Sequence, residues 1–118
     1  MTEQPPSAPV SRPVLAPEAN AFFIKFKVKP GKNADFEKAM SDVMVGVREK
    51  EPRNVYCDLL HLAQAPQTYT IVERYTDAEA VKAHAASAYI KRLGEVFQND
   101  DLLEGPPEVQ ELVFIRSK

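Results

Sequence analysis

The sequence contains no tryptophan, a single cysteine and no apolar stretch close to the length of a membrane-spanning helix. One cysteine, Cys57, cannot form an intramolecular disulfide, and the N-terminal residues show neither the basic nor the apolar region of a secretory leader. A transmembrane helix needs roughly 20 consecutive apolar residues. We therefore expect a soluble protein that works in the cytoplasm.

Sequence motifs for cofactors and metals are also missing. The four glycines stand too far apart for a dinucleotide-binding fingerprint or a phosphate-binding loop; they are Gly31, Gly46, Gly94 and Gly105. The two histidines have no paired cysteines and no His-x-x-x-His spacing, so they make a poor metal site. We expect no cofactor and no metal. Any chemistry then depends on side chains and bound substrate, which suits a cofactor-independent enzyme and a binding protein equally.

Length and charge narrow the class of protein further. A chain of 118 residues is long enough for one compact domain and short for two. Its 15 basic and 17 acidic residues give a net charge of -2, without a long run of either sign. Nucleic acid is therefore not an expected partner.

Residues 1–20 differ in composition from the rest of the chain. They hold half of the ten prolines and show no periodic apolar pattern. We interpret them as an extended N-terminal arm, and residues 21–118 as a single folded domain.

A strand and a helix are predicted directly after the arm. From Ala21 onward, apolar residues alternate with lysines, which is the period of a half-buried strand. The apolar face consists of Phe22, Ile24, Phe26 and Val28, and the polar face of Lys25, Lys27 and Lys29. Pro30 and Gly31 end this strand. Asn33 is predicted to cap a helix that Pro52 closes. The apolar stripe of this helix consists of Phe36, Met40, Val43, Met44 and Val47.

The remaining residues predict a hairpin, a second helix and a last strand. Residues 55–63 and 68–76 are two strands joined by a short turn at residues 65–67. Asp77 is predicted to cap a helix that reaches Phe97 with a break near Ser87. Residues 108–115 alternate again, with one side formed by Val109, Val113 and Ile115.

The order βαββαβ is that of a ferredoxin-like α+β fold, in which an antiparallel four-stranded sheet carries both helices on one face. The other face of the sheet is left without cover, and proteins usually bury a half-apolar face of this kind. A second copy of the same chain is the simplest partner, so we expect a homodimer.

Three segments carry a family resemblance: VKPGKNADFEKAM after the first strand, VYCDLLH in the second, and TYTIVERYTDAEAVKAHAAS through the third strand and second helix. Together they resemble the antibiotic biosynthesis monooxygenase (ABM) family, which includes quinol monooxygenases. The resemblance covers residues 21–115 and is strongest in the run Glu73-Arg74-Tyr75, Asp77, Ala80, His84 and Ser87. In this run the acid Glu73, the aromatic Tyr75, the capping Asp77 and the helical His84 fall at the spacing of the family.

This resemblance implies a dimeric α+β barrel of ferredoxin-like subunits that oxidises phenolic or quinol compounds with molecular oxygen, without flavin, haem or metal. The family commonly has tryptophan where this chain has Tyr75, and its haem-degrading branch relies on that bulky aromatic residue, so haem degradation is disfavoured. The family also includes isomerases and members without known activity. The fold alone therefore does not settle the chemistry.

His84 is the leading candidate for a catalytic base. It follows Val81 by three positions on the apolar stripe of the second helix and is expected to face the sheet, where a neutral imidazole can accept a proton from a phenol or quinol. Glu73 or a tyrosine hydroxyl is expected to orient it. The alternative is a hydrogen-bonded core histidine without catalytic function. His61, in the second strand, either lines the same cavity or ends its strand in solvent.

Glu73 is the second catalytic candidate. It shares one face of the third strand with Tyr69, Ile71 and Tyr75. An acid among aromatic residues is either paired or functional. The alternative is a surface ion pair with a cross-strand Lys25 or Lys27.

Other side chains are candidates for contact with a substrate. Tyr75 can stack on an aromatic substrate or fill the core, and Tyr89 can reach the mouth of the pocket or pack at its rim. Cys57 is expected to be a buried, inert thiol. Met40 and Met44 are core residues or the walls of an adaptable pocket.

Two functions remain open. The first is a cofactor-independent monooxygenase that oxidises a quinol or polyphenol with molecular oxygen, with His84 and Glu73 as catalytic residues and Tyr75, His61 and Tyr89 at the substrate. The second is a non-catalytic dimeric barrel that binds small aromatic ligands, acts in stress or stabilises a partner. A pocket with His84 and a second polar group favours the first, and an apolar plug favours the second.

Overall fold

The alternating residues that begin at Ala21 form the first strand, and six further elements follow it. The computed structural model describes residues 16–118. The elements are β1 (Ala21–Lys27), α1 (Asn33–Lys50), β2 (Asn54–Leu62), β3 (Ala65–Tyr75), α2 (Ala78–Ala85), α3 (Ala88–Asn99) and β4 (Glu108–Leu112). Residues 1–15 of the predicted arm lie outside the described residues, so the boundary between arm and domain stays a prediction.

The four strands form one antiparallel sheet in the order β2-β3-β1-β4. β1 and β3 lie in the middle, and their register pairs Phe22 with Glu73, Ile24 with Ile71, and Phe26 with Tyr69. Residues that lie opposite each other in a sheet point their side chains to the same face. The predicted ferredoxin-like order is confirmed.

The hydrophobic core lies between this face of the sheet and the helices. The predicted apolar face of β1 is buried to 5% exposure or less in all four residues, Phe22, Ile24, Phe26 and Val28. Phe36 of α1 is fully buried, and its ring centroid lies 4.6 Å from Tyr69, 5.3 Å from Phe26 and 5.9 Å from Phe97. Aromatic packing therefore holds α1 and α3 onto the centre of the sheet.

The predicted second helix consists of two helices, α2 and α3, which Ala86 and Ser87 separate. Asp77 caps α2, because its Oδ1 accepts a hydrogen bond from the backbone N–H of Ala80 at 2.9 Å. The predicted cap and the predicted break are both confirmed. None of the helices within residues 16–118 is both long and apolar enough to cross a membrane.

The predicted cap of α1 is wrong. Asn33 is the first residue of the helix, and its side chain does not cap it. Instead, Asn33 Nδ2 donates to the carbonyl oxygen of Pro66 at 3.0 Å and to Tyr69 Oη at 2.9 Å. The reason is tertiary: β3 extends back to Ala65, and this brings two acceptors within reach of the amide.

Two strand boundaries also differ from the prediction. The hairpin turn lies at Ala63 and Gln64, not at residues 65–67, because Leu62 already pairs with Ala65. β4 ends at Leu112, not at residue 115. Leu112 pairs with Ala21, the first residue of β1, so the neighbouring strand offers no further partner.

The face of the sheet opposite the helices carries exposed apolar side chains. Tyr56 and Leu60 of β2 and Leu112 of β4 are 38%, 50% and 41% exposed. The Arg74 guanidinium lies on this face, with its carbon 3.7 Å from the ring centroid of Phe114 and 5.6 Å from that of Tyr56. Residues 16–118 thus leave this face largely uncovered.

We expect Phe36→Ala to lower the free energy of unfolding by about 3–5 kcal/mol, because it removes a fully buried ring and leaves a cavity. Chemical denaturation followed by circular dichroism measures the change. Val45→Ala is the matched control on the same helix: Val45 is 42% exposed, and we expect a change below about 0.5 kcal/mol. Similar losses for both variants would contradict the position of Phe36 in the core.

Candidate functional site

The imidazole of His84 lies between two carboxyl groups. His84 is 4% exposed. Its Nδ1 lies 3.0 Å from both side-chain oxygens of Glu51, and its Nε2 lies 3.7 Å from Oε1 of Glu73. The first distance is a hydrogen bond, whereas the second is too long for one.

Helix α2 directs His84 toward the sheet. Ala80, Val81 and His84 are the buried residues of this helix, and their spacing places them on one face. His84 lies in the last turn of the helix, and its carbonyl oxygen accepts hydrogen bonds from the hydroxyl of Ser87 at 2.7 Å and from the backbone N–H of Ser87 at 3.1 Å. The His84 side chain therefore points toward the sheet, as predicted.

Glu51, the residue that contacts His84, was missed in the sequence. It lies at the C-terminal cap of α1, directly before Pro52, and its side chain is 12% exposed. A signal was present: Glu51 follows Val47 by four positions and so continues the apolar stripe of α1 onto an acid. The expectation that Glu73 or a tyrosine hydroxyl orients His84 is wrong, because Glu51 makes the hydrogen bond.

Tyr89 of α3 completes this side of the cluster. Its hydroxyl donates a hydrogen bond to Oε2 of Glu51. Burial and the neighbouring Glu51 raise the pKa of Tyr89 to about 12, so the hydroxyl keeps its proton at neutral pH. Tyr89 thus contacts the acid that holds His84.

Glu51 remains a carboxylate in this setting. Its burial opposes ionisation, but hydrogen bonds from His84 and Tyr89 outweigh that effect and hold its pKa below the ordinary value. A carboxylate only accepts hydrogen bonds. The other ring nitrogen of His84, Nε2, lies on the side of Glu73.

Glu73 and Tyr75 form the other side of the cluster. The Tyr75 hydroxyl donates to Oε1 of Glu73 at 2.5 Å, and the two residues are 0% and 3% exposed, respectively. Burial and the charge of Glu73 raise the pKa of Tyr75 above its ordinary value. The rings of Tyr75 and His84 are 5.3 Å apart between centroids. Tyr75 is therefore part of the packed core.

The suggested ion pair of Glu73 with Lys25 or Lys27 is wrong. Both lysines lie opposite threonines of β3, Lys25 opposite Thr70 and Lys27 opposite Thr68, and point away from the helices. Glu73 lies opposite Phe22 and points toward them. The Lys25 ammonium instead lies 3.9 Å from Glu108 of β4.

A small cavity of about 60 Å³ lies in front of His84 and Glu73. Three titratable side chains line this cavity: His84, Glu73 and Cys57. The other lining residues are apolar: Ile24, Phe26, Met40, Val43, Met44, Val47, Ile71, Ile90 and Leu93. The cavity therefore presents the His84 imidazole and one carboxyl group to whatever enters an otherwise apolar space.

A wider groove of about 630 Å³ opens between α1 and β2. Met44, Val47 and Cys57 line both the groove and the cavity, and Glu51 also lines the groove. Burial and nearby acids, Glu73 first, raise the pKa of the Cys57 thiol to about 12. Cys57 is half-buried and not buried as predicted, but its thiol is protonated at neutral pH, as expected of an inert cysteine.

His61 does not join this cluster. It is exposed, its Nδ1 donates to the carbonyl oxygen of Leu62 at 2.9 Å, and its ring lies edge-on to Tyr69 at 5.7 Å. Tyr69 is six residues before Tyr75 on β3, which corresponds to roughly 20 Å along a strand. Within residues 16–118, no three side chains of histidine, cysteine or acids form a group that could hold a metal ion.

Comparison with known proteins identifies the family. The chain matches the family model described as antibiotic biosynthesis monooxygenase over residues 22–96. It is 25% identical to a candidate antibiotic biosynthesis monooxygenase from Caulobacter crescentus CB15, whose structure superposes with a TM-score of 0.75 over 84% of this chain and 93% of that one. A structure from Nitrosomonas europaea, with the same description, is 19% identical with a TM-score of 0.75 over 86% and 95% of the two chains.

No functionally curated protein matches the sequence. The family model, however, spans well over half of the 118 residues and includes β1, α1, the hairpin, the His84 helix and most of α3. The resemblance in the third strand and second helix is thereby confirmed. The chain belongs to the antibiotic biosynthesis monooxygenase family.

Proposed function

We propose that this protein is a cofactor-independent monooxygenase that oxidises a quinol or polyphenolic small molecule with molecular oxygen, with His84 as the general base. One observation carries the proposal. The His84 imidazole lines a small, mostly apolar cavity together with Glu73, while its Nδ1 is held by Glu51 and its Nε2 is 3.7 Å from Glu73, too far for a hydrogen bond. A core histidine that served packing alone would not need a free nitrogen beside a cavity.

The geometry suits removal of a proton from a phenolic hydroxyl. The O–H bond of the substrate breaks, an N–H bond forms at Nε2, and the electron pair stays on the substrate. The positive charge that develops on the imidazole lies between the carboxyl groups of Glu51 and Glu73, which favours it in a site away from water. The electron-rich substrate anion then gives electrons to molecular oxygen, the second substrate, and a C–O bond forms at a ring carbon. The O–O bond breaks, and the second oxygen atom leaves as water with the proton returned by His84 and the hydrogen of that ring carbon, which becomes a carbonyl.

Glu73 has a supporting role in this scheme. Its Oε1 already accepts the hydroxyl of Tyr75 at 2.5 Å, and this fixes the carboxyl group at the cavity wall. From there it faces both Nε2 of His84 and the place where the substrate hydroxyl would enter. Glu73 thus stabilises the imidazolium that forms.

The substrate must approach from the groove. The cavity of about 60 Å³ is far smaller than the roughly 300–1,000 Å³ of ordinary ligand pockets, whereas the groove of about 630 Å³ lies within that range. We propose that the reacting hydroxyl passes between Met44 and Cys57 while the rest of the substrate occupies the groove. Met44 suits this position, because an unbranched methionine side chain changes rotamer easily.

We also propose that the protein is a homodimer in the cytoplasm. The uncovered face of the sheet carries Tyr56, Leu60 and Leu112 as well as the Arg74 guanidinium stacked on Phe114. Exposed apolar faces of this kind usually pack against a partner, and a twofold interface pairs each surface with itself.

A non-catalytic function as a binder of small aromatic ligands is the alternative. The small size of the cavity and the fully buried Tyr75 ring favour it, since both limit the space for a reacting substrate. Under this alternative, an aromatic ligand binds in the groove without consumption of oxygen.

We expect His84→Ala to lower the rate of oxygen-dependent quinol oxidation by about 10²–10⁴-fold, the usual contribution of a general base. Oxygen uptake with a panel of hydroquinones, on metal-stripped protein without flavin, measures the rate. His61→Ala removes an exposed histidine of the same chain and is the matched control, for which we expect little change. Circular dichroism checks the fold of both variants.

Absence of oxygen uptake by the wild type above the buffer rate would contradict the proposed activity. Equal rates for wild type and a folded His84→Ala variant would instead exclude His84 as the base.

We expect Met44→Trp to raise the KM for quinols or abolish turnover, because the larger side chain fills the passage between groove and cavity. The same oxygen-uptake assay measures it. Glu49→Trp adds the same bulk at an exposed position of α1 that lines neither the groove nor the cavity, and it is the control. A Met44→Trp variant with unchanged KM and kcat would show that the substrate takes another route.

We expect light scattering to give a mass of twice the chain mass of 13.2 kDa at micromolar concentration. Leu60→Glu places a charge on the uncovered face and should shift the protein toward the monomer, whereas Val45→Glu, on α1, should not. A monomeric wild type would refute the dimer.

A further inference from the structure

The carboxylate of Glu51 holds His84 from the side that faces away from the cavity. We infer that Glu51, itself held by Tyr89, is the positioning residue that fixes the tautomer of His84, with hydrogen on Nδ1 and the lone pair of Nε2 directed at the cavity. The consequence for turnover rests on the proposed function. The tautomer does not, because it is a property of the protein without substrate.

The first argument is the geometry of the contact. Both oxygens of Glu51 lie 3.0 Å from Nδ1, and the side chains of His84 and Glu51 are 5% and 12% exposed. If Nδ1 had no hydrogen, its lone pair would face a carboxylate at hydrogen-bond distance, with little water to separate them. Two acceptors in contact repel each other and leave both unsatisfied.

The second argument is that Glu73 cannot set the tautomer. Its Oε1 is 3.7 Å from Nε2, beyond hydrogen-bond length, and this oxygen already accepts the hydroxyl of Tyr75. A hydrogen on Nε2 would therefore gain no direct hydrogen bond there, whereas a hydrogen on Nδ1 gains one from Glu51.

The third argument concerns what fixes Glu51. The Tyr89 hydroxyl donates to Oε2 of Glu51 and ties the end of α1 to α3. The Tyr89 ring reaches this position because residue 46 of α1 is glycine: a Cβ at Gly46 would lie 3.0 Å from Cδ2 and 3.1 Å from Cε2 of Tyr89. These contacts are tighter than nearly all real Cβ contacts, so a side chain at this position would push the Tyr89 ring away by a few tenths of an ångström.

These contacts form one line through three helices. Gly46 admits the Tyr89 ring, the Tyr89 hydroxyl orients Glu51, and Glu51 orients the ring of His84. In enzymes with a carboxylate–histidine pair, the carboxylate holds the imidazole in the reactive tautomer and stabilises the imidazolium that forms. The same two tasks are assigned here to Glu51.

The test reads the tautomer of His84 directly. Protein labelled with ¹⁵N at histidine gives long-range ¹H–¹⁵N correlations that distinguish a hydrogen on Nδ1 from one on Nε2. Spectra are recorded over increasing pH until the ring signals no longer change, so that neutral rings are compared. His84→Asn assigns the signals, because His61 is then the one histidine left in the chain.

We expect the Nδ1–H form for His84 in the wild type. Glu51→Gln should give a mixture or the Nε2–H form, because an amide can donate to Nδ1 as well as accept from it. Tyr89→Phe keeps the ring against Gly46 and loses only the hydroxyl, and it should move the population part of the way. Glu49→Gln, an exposed acid on the same helix, should change nothing.

Turnover adds a second reading. In the oxygen-uptake assay, Glu51→Gln should lower kcat by roughly 10²-fold or more, since Glu51 acts on the reaction through His84. Glu51→Asp restores the carboxylate and should recover part of the loss. A purely structural role would lower the amount of folded protein and leave kcat per folded molecule unchanged.

Three outcomes overturn the inference: an Nε2–H form in the wild type, an unchanged Nδ1–H form in folded Glu51→Gln, or an equal response to Glu49→Gln. The wild-type spectrum decides even if the Glu51 variants do not fold. A tautomer that depends on Glu51 in a protein without oxygen uptake would support the positioning role and reject the proposed function.

Discussion

The register between β1 and β3 is the constraint on which the site depends. It places Glu73 opposite Phe22 on the side of the helices, and Lys25 opposite Thr70 on the other side. Because side chains alternate along a strand, a slip by one residue would exchange the two faces and turn Glu73 into an ordinary surface acid beside the lysines. The pairing that buries the aromatic core therefore also buries an acid. A buried acid requires polar partners, and the rest of the cluster supplies them.

The partners come from every helix of the described chain. Tyr75 and Glu73 form a pair on β3, Tyr89 and Glu51 form a second pair between α3 and α1, and His84 of α2 lies between the pairs. Each carboxyl group thus has a tyrosine hydroxyl, and the imidazole has one bonded and one open nitrogen. Networks of this kind are stable only when nearly all members are satisfied. The open nitrogen is the exception, and it faces the cavity.

Local periodicity was enough to predict much of this. The alternation that starts at Phe22 and the helical spacing from Phe36 to Val47 depend on neighbours in the chain, and both were read correctly. The alternation of side chains along the third strand also predicted which face of the sheet carries Glu73, but it did not predict the hydrogen bond from Tyr75. The failures share a cause: the contacts of Asn33, the end of β4 and the hydrogen-bond partner of His84 are decided by residues far away in the sequence. Glu51 and His84 are 33 positions apart, and no local pattern connects them.

Gly46 sets a conflict between the stability of a helix and the arrangement of the site. Glycine in the interior of a helix is less favourable than alanine by about 1 kcal/mol, so alanine at this position would favour α1 taken by itself. Yet a Cβ there would lie only 3.0 Å from the Tyr89 ring, which would have to move by a few tenths of an ångström. Selection for thermal stability alone would favour replacement of this glycine, and selection for an oriented histidine would retain it. We therefore expect the Cβ that a substitution adds at Gly46 both to favour the helix and to lower activity.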